Sequence, residues 1–413
     1  MNMTSNQAAL DGLRVLDLSR VLAGPWASQL LADLGADVVK VERPGTGDDT
    51  RAWGPPWLSD DDGESTGESA YYLCANRNKR SVTIDLSEPD GQRLVKELAS
   101  KADVLVENFK VGGLSQYALD YASLKELNPR LVYCSITGFG QTGPYASRAG
   151  YDFLIQGMGG LMSVTGRADG TDGEGPLKVG VALTDITTGL YATVAILAAL
   201  ARRERSGVGQ HIDLALLDVQ IACLANQATN YLVGGVVPGR IGNAHPNIVP
   251  YQDFPTADGH MIIAVGNDSQ FASLCKALGK REWGEDKRFA NNPQRVKHRD
   301  QLIAMIRAIT VSRATAEWIA AMEAAGVPCG PINNLDQVFE DPQVQSRNAR
   351  VEMPHPLAKQ LALVANPIRM SESPVQYRHA PPTLGQHTSE VLQDWLDMAT
   401  GDASCSGVVR LEP

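Results

Sequence analysis

The sequence predicts an α/β protein, with one large domain built on a doubly wound layer of parallel strands and a smaller α+β domain. Two observations support this class. Strands and helices alternate from the start of the chain to residue 137. After about residue 230 the pattern changes to a hairpin followed by a run of helices. With 413 residues, the chain is long enough for two domains of this kind.

A strand–helix–strand unit opens the chain. The apolar run LRVLDL (13–18) predicts a buried strand, and Pro25 suits the first position of the following helix. Three leucines on one face, with Gly35 at the end, are typical of an amphipathic helix that stops at a glycine. ADVVKVE (36–42) is the next strand, so we expect a parallel pair with a right-handed crossover.

The alternation of strands and helices then continues. It predicts a helix near 88–101, a strand at 103–109, a helix near 119–127, a strand at 131–137 and a long helix at 186–205. Between these elements, residues 54–69 are acidic and rich in Gly and Ser, which predicts a solvated loop.

The later part of the chain has a different composition of elements. YQDFPTADGHMIIAVG (251–266) predicts two strands joined through Asp258-Gly259. Helices are expected near 268–279, 298–311, 313–325 and 388–398. We assign 1–230 to the large domain, 231–332 to the small domain, and 333–413 to a C-terminal segment that returns to the large domain.

Composition limits the classes of function. The net charge of −10 argues against binding to nucleic acid or to an anionic membrane. No signal peptide is expected, and the longest apolar stretch (190–201) is shorter than the ~20 residues that cross a bilayer. Scattered cysteines and histidines predict no disulfide framework, no metal site and a cytoplasmic protein. Cys134 and Cys223 lie in apolar runs and are expected in the core.

Three groups of charged residues are candidates for binding or catalysis. Arg20 and Arg43 follow predicted strands, at the edge where α/β sheets bind ligands, and each also fits an ordinary surface charge. The cluster NRNKRS (76–81), before the predicted strand VTIDL (82–86), suits either a diphosphate or a solvated turn. Asp185 opens the long helix, where it fits either an N-cap or a desolvated, oriented nucleophile.

The opening unit lacks the GxGxxG fingerprint, and this disfavours a nicotinamide-dependent dehydrogenase. A ligand that carries phosphate still suits the N-terminus of its helix, where free N–H groups favour anions.

Eight segments in order resemble the family III CoA-transferases (CaiB/BaiF type), the group that includes formyl-CoA transferase and carnitine CoA-transferase. The segments are 10–51, NRNKRSVTIDL (76–86), ADVLVENF (102–109), 126–144, ALTDITTGLYATVAILAAL (182–200), GVGQHIDLALLD (207–218), AGVPCGPI (325–332) and LGQHT (384–388). The resemblance implies a Rossmann-like large domain, a small domain, and a homodimer of two interlocked rings.

The resemblance also implies roles for residues. The family's catalytic aspartate falls on Asp185, at the matching TD-x-x-TG position. The CoA-binding positions fall on Leu22, Ala23, Arg43, Ile84, Asp85, Leu86, Ser87, Asn108, Phe109, Ala149, Gly150, Tyr151 and Asp152. Arg20 adjoins this set, where formyl-CoA transferase has a histidine, and is a candidate both for CoA and for the acceptor carboxylate.

Departures from the pattern indicate the substrate. GNAHPNIVPYQ (242–252) stands in place of the glycine-rich loop of oxalate-using members, and resembles members that act on dicarboxylates such as glutarate with succinyl-CoA as donor. Asn243 and His245 in this loop are further candidates for the acceptor carboxylate, although His245 also fits a loop histidine bonded to backbone. Gln116 replaces an arginine and leaves one CoA contact open.

The implied reaction is an exchange of thioesters through an aspartyl anhydride and an aspartyl-CoA thioester on Asp185. Backbone N–H groups at the start of the 186–205 helix and in the glycine-rich loops are expected to stabilise the oxyanions.

Two alternatives remain. One is an α-methylacyl-CoA racemase-type enzyme of the same fold, but that group uses a histidine where this chain has Tyr151, and a phenol is a poor base at neutral pH. The other is a CoA-binding protein without turnover.

Overall fold

The computed structural model describes residues 7–398. Residues 1–6, on which the expectation of no signal peptide partly rests, and Cys405 lie outside the described residues.

The strands in chain order are β1 Arg14–Asp17, β2 Asp37–Glu42, β3 Trp57–Ser59, β4 Ser65–Ser69, β5 Lys79–Thr83, β6 Val104–Glu107, β7 Val132–Thr137, β8 Gly166–Arg167, β9 Gly175–Pro176, β10 Gln210–Ala215, β11 Tyr251–Pro255, β12 His260–Ala264, β13 Cys329–Pro331, β14 Arg350–His355 and β15 Ala358–Val364.

The α-helices are α1 Ala23–Asp33, α2 Ala70–Leu73, α3 Pro89–Lys101, α4 Tyr121–Leu127, α5 Asp152–Met158, α6 Leu161–Val164, α7 Leu183–Ser206, α8 Leu216–Cys223, α9 Ala225–Gly234, α10 Asp268–Ala277, α11 Asn292–Lys297, α12 Arg299–Thr310, α13 Thr315–Ala324, α14 Leu335–Glu340, α15 Pro342–Ser346 and α16 Thr388–Leu396.

The chain forms two compact units. The first comprises 7–161, 179–228 and 345–398, and the second comprises 162–178 and 229–344. These units differ from the predicted boundaries because the β8–β9 ribbon groups with the second unit, where Asp169 forms an ion pair with Arg240. The sequence of this short, glycine-rich ribbon has no hydrophobic periodicity, so it does not predict which unit the ribbon packs with.

The first unit is built on a six-stranded parallel sheet in the order β10-β7-β6-β1-β2-β5. Neighbouring residues of β1 point to opposite faces: Val15 packs with α1 and α7, and Leu16 packs with α3 and α16. Apolar side chains therefore cover both faces of the sheet, as a doubly wound layer requires. The parallel α/β architecture predicted from the sequence is confirmed.

Helix α7 is long and apolar enough to cross a membrane by length and composition alone, and 44% of its most apolar stretch is buried. This is weak evidence for a membrane span, because the core helix of a globular unit can have the same length and composition. In this structure α7 packs on α1 and β7, and it buries Arg203, which forms an ion pair with Asp103.

The second unit has an antiparallel sheet of three strands in the order β11-β12-β13. Thr256 N–H donates to the Gly259 carbonyl, closing the connection between β11 and β12 that Asp258-Gly259 predicts. Helices α10, α12 and α13 occur where they are expected, and their buried faces share one apolar core with the hairpin.

Several local expectations are wrong. The stretch 54–69 contains the β3–β4 ribbon in addition to loop. Helix α1 begins at Ala23, so Pro25 occupies its third position, where a missing N–H is still tolerated. Cys134 is buried as expected, but Cys223 is exposed in this chain.

Candidate active site

Two cavities open at the carboxyl end of the parallel sheet and share Arg20 and Phe109. The first, of about 170 Å³, contains Asp185 and is formed by the segments that follow β1, β6 and β7. The second, of about 280 Å³, is formed by the segments that follow β2 and β5. Ligands of open α/β sheets bind at this edge.

The predicted CoA-binding residues divide between these cavities. The first is lined by Arg20, Leu22, Ala23, Asn108, Phe109, Ala149, Gly150 and Tyr151, and the second by Arg20, Arg43, Ile84, Asp85, Leu86, Ser87 and Phe109. The remaining member, Asp152, lines neither cavity. One elongated ligand spanning both cavities would contact predicted CoA-binding residues from five separate parts of the sequence.

The turn from Ser19 to Leu22 forms one wall of the first cavity and is held by side chains from outside it. Asn108 accepts the Arg20 N–H at 2.9 Å and donates to the Arg20 carbonyl at 2.6 Å. The Asp48 carboxylate accepts the Val21 N–H at 3.2 Å. Val21 has φ of 71°, a left-handed conformation that a β-branched residue rarely adopts. These bonds stabilise a backbone shape that the turn does not favour by itself.

A buried charge cluster lies beneath this turn. The Lys40 ammonium donates to the Asp48 carboxylate and to the Ser19 carbonyl, both at 2.8 Å. Asp17 accepts from the Lys79 ammonium at 3.1 Å, and both lysines are fully buried. Burial raises the pKa of Asp48, but the charge and hydrogen bond of Lys40 outweigh this effect and lower that pKa to about 2.

The segment NRNKRS (76–81) belongs to the buried interior, so neither the diphosphate site nor the solvated turn is correct. Strand β5 already begins at Lys79. Arg77 forms an ion pair with Asp33, with Nη2 at 2.6 Å from the carboxylate, and Arg80 forms one with Asp37 at 2.5 Å. Because the partners come from α1 and β2, the sequence around the cluster does not show them.

Asp185 lies in the first turn of α7, two residues beyond the first helical position, and only 9% of it is exposed. It is therefore not the N-cap. One turn further along, Gly189 lets α1 come close, since a Cβ at that position would lie 2.8 Å from the Ala23 carbonyl oxygen. This close helix crossing brings the start of α1 and Asp185 to the same cavity.

The N–H groups at the start of α7 are already used. Asp152 accepts the Thr184 N–H at 2.8 Å and the Asp185 N–H at 3.4 Å through one carboxylate oxygen. The next amide, of Ile186, donates to the Ala182 carbonyl. The expectation that these amides stabilise an oxyanion is therefore wrong, and the Asp152 side chain is engaged at the helix start.

The Asp185 carboxyl is buried next to another carboxylate, and this raises its pKa. Burial and, to a smaller extent, the nearby Asp152 carboxylate raise the pKa of Asp185 to about 7. Among residues 7–398 it forms no ion pair with a lysine or arginine. An aspartate that is desolvated and unpaired is held ready to react, because its ionised form is stabilised less than in water.

The segment 149–151 reaches the cavity through a close backbone contact. A Cβ on Gly150 would lie 2.3 Å from the Gly138 Cα, and a Cβ on Gly138 would lie 2.5 Å from the Gly150 Cα. Both positions therefore require glycine, and the contact holds Ala149 and Tyr151 against the end of β7.

Four residues of this region were not found from the sequence. Lys110, Asp49 and Arg148 line the first cavity, and Asp49 accepts from Arg20 at 3.0 Å. Tyr71 lies close enough to Asp185 to respond to its charge: burial and that carboxylate raise the pKa of Tyr71 to about 12. Asp49 lies in the resembling segment 10–51 without an assigned role, and the other three lie outside the resembling segments. Only the fold brings these residues to the region of Asp185.

Asn243 and His245 lie in the second unit, and their side chains are engaged there. Asn243 donates to Asp253 at 3.1 Å, and the His245 ring accepts the Asn247 N–H at 3.1 Å and packs near Tyr251. Their role toward an acceptor acid stays a prediction. In the described part of the chain, no group of three or more His, Cys, Asp or Glu side chains is placed to hold a metal ion.

Known proteins are similar to this chain in both sequence and structure. A sequence model of CoA-transferase family III matches residues 10–388. A succinate–glutarate CoA-transferase of Agrobacterium fabrum is 52% identical, covering 95% of this chain and 97% of that protein. The human succinyl-CoA:glutarate CoA-transferase is 44% identical, covering 98% of this chain and 91% of that protein.

A solved structure is also similar. The crystal structure of a CaiB/BaiF family protein from Brucella suis superimposes with a TM-score of 0.82 at 49% identity, covering 94% of this chain and all of that chain.

Proposed function

Since this chain belongs to CoA-transferase family III, we propose that it transfers CoA from succinyl-CoA to glutarate or a similar dicarboxylic acid, with Asp185 as the covalent nucleophile. The observation that carries this proposal is the unpaired, nearly buried Asp185 carboxyl in a cavity lined by the predicted CoA-binding residues.

The reaction would proceed in two symmetric halves. The Asp185 carboxylate attacks the thioester carbonyl of succinyl-CoA and expels CoA thiolate, leaving a mixed succinyl–aspartyl anhydride. The thiolate then attacks the aspartyl carbonyl, which forms an aspartyl-CoA thioester and releases succinate. Glutarate attacks this thioester to give a glutaryl–aspartyl anhydride, and CoA thiolate attacks the glutaryl carbonyl and regenerates Asp185. One thioester replaces another, so the exchange requires no ATP.

The oxyanions of these steps need donors other than the amides of α7. Helix α1 offers one: its N-cap Leu22 makes no side-chain cap bond, and the Ala23 N–H is the first of the helix and lies at the cavity wall. N–H groups in the first turn of a helix have no partner within the helix and favour negative charge. We assign the Ala23 N–H to the developing oxyanion.

The two cavities suit the two ends of an acyl-CoA. The second cavity, with Arg43 and the Ile84–Ser87 segment, would hold the nucleotide, and the thioester would reach Asp185 in the first. The fixed Ser19–Leu22 turn lies between them. By resemblance, two chains would interlock as a homodimer, and unpaired cysteines would suit a reducing cytoplasm.

An exchange assay tests the proposal. Wild-type protein with succinyl-CoA and a panel of mono- and dicarboxylic acids should give new dicarboxyl-CoA products, read by mass. Asp185→Asn should reduce exchange at least about 1,000-fold, because an amide cannot form the anhydride. The matched control Asp218→Asn changes a carboxylate in the same unit and should retain activity.

Two results would contradict the proposal. Undiminished exchange by Asp185→Asn would remove the nucleophile. Solvent deuterium appearing at the α-carbon of a branched acyl-CoA, with no exchange of acids, would instead support the racemase-type reaction.

A further inference from the structure

Three cationic side chains line the cavity that contains Asp185, namely Arg20, Lys110 and Arg148. The Arg20 guanidinium is already paired with Asp49 at 3.0 Å, and it also borders the second cavity. Lys110 presents a single ammonium group. Arg148 differs from both, because it borders only the cavity of Asp185 and carries the planar guanidinium that binds a carboxylate through two parallel hydrogen bonds.

Arg148 is oriented by two aromatic rings. Its guanidinium lies 4.6 Å from the Tyr145 ring centroid and 5.1 Å from that of Phe139. Within residues 7–398 it forms no ion pair with any Asp or Glu, and its polar contact is the Met158 sulfur, 3.9 Å from Nη2. A guanidinium that packs against aromatic rings and pairs with no carboxylate still has N–H groups to donate to an anion.

The proposed reaction brings such an anion to this cavity twice. The succinyl group of the donor and the glutaryl group of the product each carry a second, unreacted carboxylate. Because both acyl groups form their anhydride on the same Asp185, their free carboxylates lie in the same cavity in turn. A cation there serves both halves of the exchange.

We propose that Arg148 binds the distal carboxylate of the acyl group and so gives the enzyme its preference for dicarboxylic over monocarboxylic acids. This inference rests on the proposed function. It replaces Arg20 as the anchor of the acceptor, because Arg20 already has Asp49 as a partner, whereas Arg148 pairs with no carboxylate among residues 7–398. The same guanidinium chemistry also suits a CoA phosphate, and the experiment separates these two anions.

The test compares glutarate with pentanoate, which has the same chain length but lacks the second carboxylate. The values of kcat/KM for each acceptor are measured with succinyl-CoA as donor in wild type, Arg148→Met, Arg148→Lys, Arg20→Met and Arg202→Met. In a ping-pong exchange kcat/KM for the acceptor reports on the half-reaction that starts from the aspartyl-CoA thioester, so any effect on the donor cancels. Arg202 is exposed on α7, about 25 Å from Asp185 along the helix. The Arg202→Met control therefore removes the same charge at a position far from the site.

We expect Arg148→Met to lower kcat/KM for glutarate about 10- to 100-fold and to change that for pentanoate less than about threefold. Arg148→Lys should recover part of the glutarate value, and Arg202→Met should resemble wild type. If Arg148 had only a structural role, Arg148→Met would lower kcat/KM for both acceptors to the same extent.

Three outcomes would overturn the inference. Equal losses for both acceptors, with a raised KM for every acyl-CoA, would assign Arg148 to a CoA phosphate. A selective loss of glutarate in Arg20→Met, with Arg148→Met unaffected, would return the anchor to Arg20. A wild-type protein that transfers CoA to no dicarboxylic acid would refute the proposed function itself, and this result is visible without any variant.

Discussion

Asp48 and Asp185 are two nearly buried aspartates of the same unit, 1% and 9% exposed, whose pKa values shift in opposite directions. Asp48 faces the Lys40 ammonium at 2.8 Å, and this ion pair overcomes the effect of burial and lowers its pKa to about 2. Asp185 has no such partner within residues 7–398, and burial together with Asp152 raises its pKa to about 7. Both carboxyl groups are buried, so the presence or absence of a cationic partner decides the direction of the pKa shift.

The comparison separates charges that stabilise the structure from charges that are available for chemistry. The buried charge cluster of Lys40, Asp48, Asp17 and Lys79 is satisfied internally and holds the Ser19–Leu22 turn. In the part of the chain that the structure describes, Asp185 and Arg148 have no ion-pair partner, and Arg20 is paired with Asp49 at an exposed position. We expect substitutions in the first group to destabilise the fold, and substitutions in the second group to reduce activity without destabilising it.

The largest expected effect on stability is that of Lys40→Met. It leaves Asp48 and Asp17 buried with less compensation, and should lower the free energy of unfolding by about 3–5 kcal/mol. Arg148→Met, at an exposed position, should change it by less than about 0.5 kcal/mol. Urea denaturation of both variants measures the difference, and a loss below about 1 kcal/mol in Lys40→Met would contradict the role of the cluster.

The second prediction concerns the opposite pKa shifts of Asp48 and Asp185, which should make stability depend on pH in opposite ways. The folded state binds the Asp185 proton more tightly than the unfolded state does, so this group costs stability progressively as pH rises from about 4 to about 7. Asp185→Asn should therefore raise the free energy of unfolding at pH 8, by up to about 4 kcal/mol, and should match wild type near pH 4.

Asp48→Asn is the matched variant and should have the opposite effect. Its lowered pKa contributes stability above pH 4 that is lost as pH falls toward 2, so the variant should be less stable than wild type at pH 8. Thermal unfolding of both variants at pH 4 and at pH 8 shows whether each substitution raises or lowers stability. Destabilisation by Asp185→Asn at pH 8 would show that this carboxylate is paired in solution.

Gly150→Ala tests the close contact that forms the cavity wall. The added Cβ would meet the Gly138 backbone at 2.3 Å, so the 149–151 segment must move. We expect a loss of about 1–3 kcal/mol in stability and at least about tenfold in kcat/KM. Gly180→Ala adds a Cβ with nothing within 4 Å and should keep wild-type values. Equal activity in the two variants would remove the requirement for this contact.

The smallest predicted effect is on the pH profile. Asp152→Asn keeps the oxygen that accepts the α7 amides but removes the negative charge beside Asp185. The apparent pKa of kcat/KM for succinyl-CoA is expected near 7 in wild type and should fall by about 0.5–1 unit in this variant. The fall is small because the charge of Asp152 accounts for the smaller part of the raised pKa, and burial accounts for the rest. An unchanged profile would assign the raised pKa to burial alone.

The sequence predicts the periodic elements well. The buried strands of the sheet and helices α3, α7 and α12 lie close to their expected positions, because each carries an apolar pattern over most of its length. The strand β5 was placed too late in the chain, since its first residues are Lys79 and Arg80. Their partners come from other elements, and no local pattern reports a buried ion pair.

The candidate site was predicted unevenly for the same reason. Asp185 and the strand-end turns stand in motifs, so the sequence alone is enough to propose them as site residues. Arg148 and Asp49 become neighbours of Asp185 only through the fold. The capping bonds of Asp152 to α7 depend on two segments 32 residues apart, and a single sequence does not reveal such an approach.

The most direct test of the mechanism is to trap Asp185 while its carboxyl is activated as the anhydride or the CoA thioester, because hydroxylamine that attacks the aspartyl carbonyl leaves a hydroxamate there and expels succinate or CoA. Wild-type protein is mixed with succinyl-CoA, quenched with hydroxylamine, digested and analysed by mass spectrometry. A hydroxamate on the Asp185 side chain, absent without succinyl-CoA and absent in Asp185→Asn, is the predicted result. Continued exchange of CoA with no hydroxamate on Asp185, or with the hydroxamate on Asp152 instead, would contradict the proposed nucleophile.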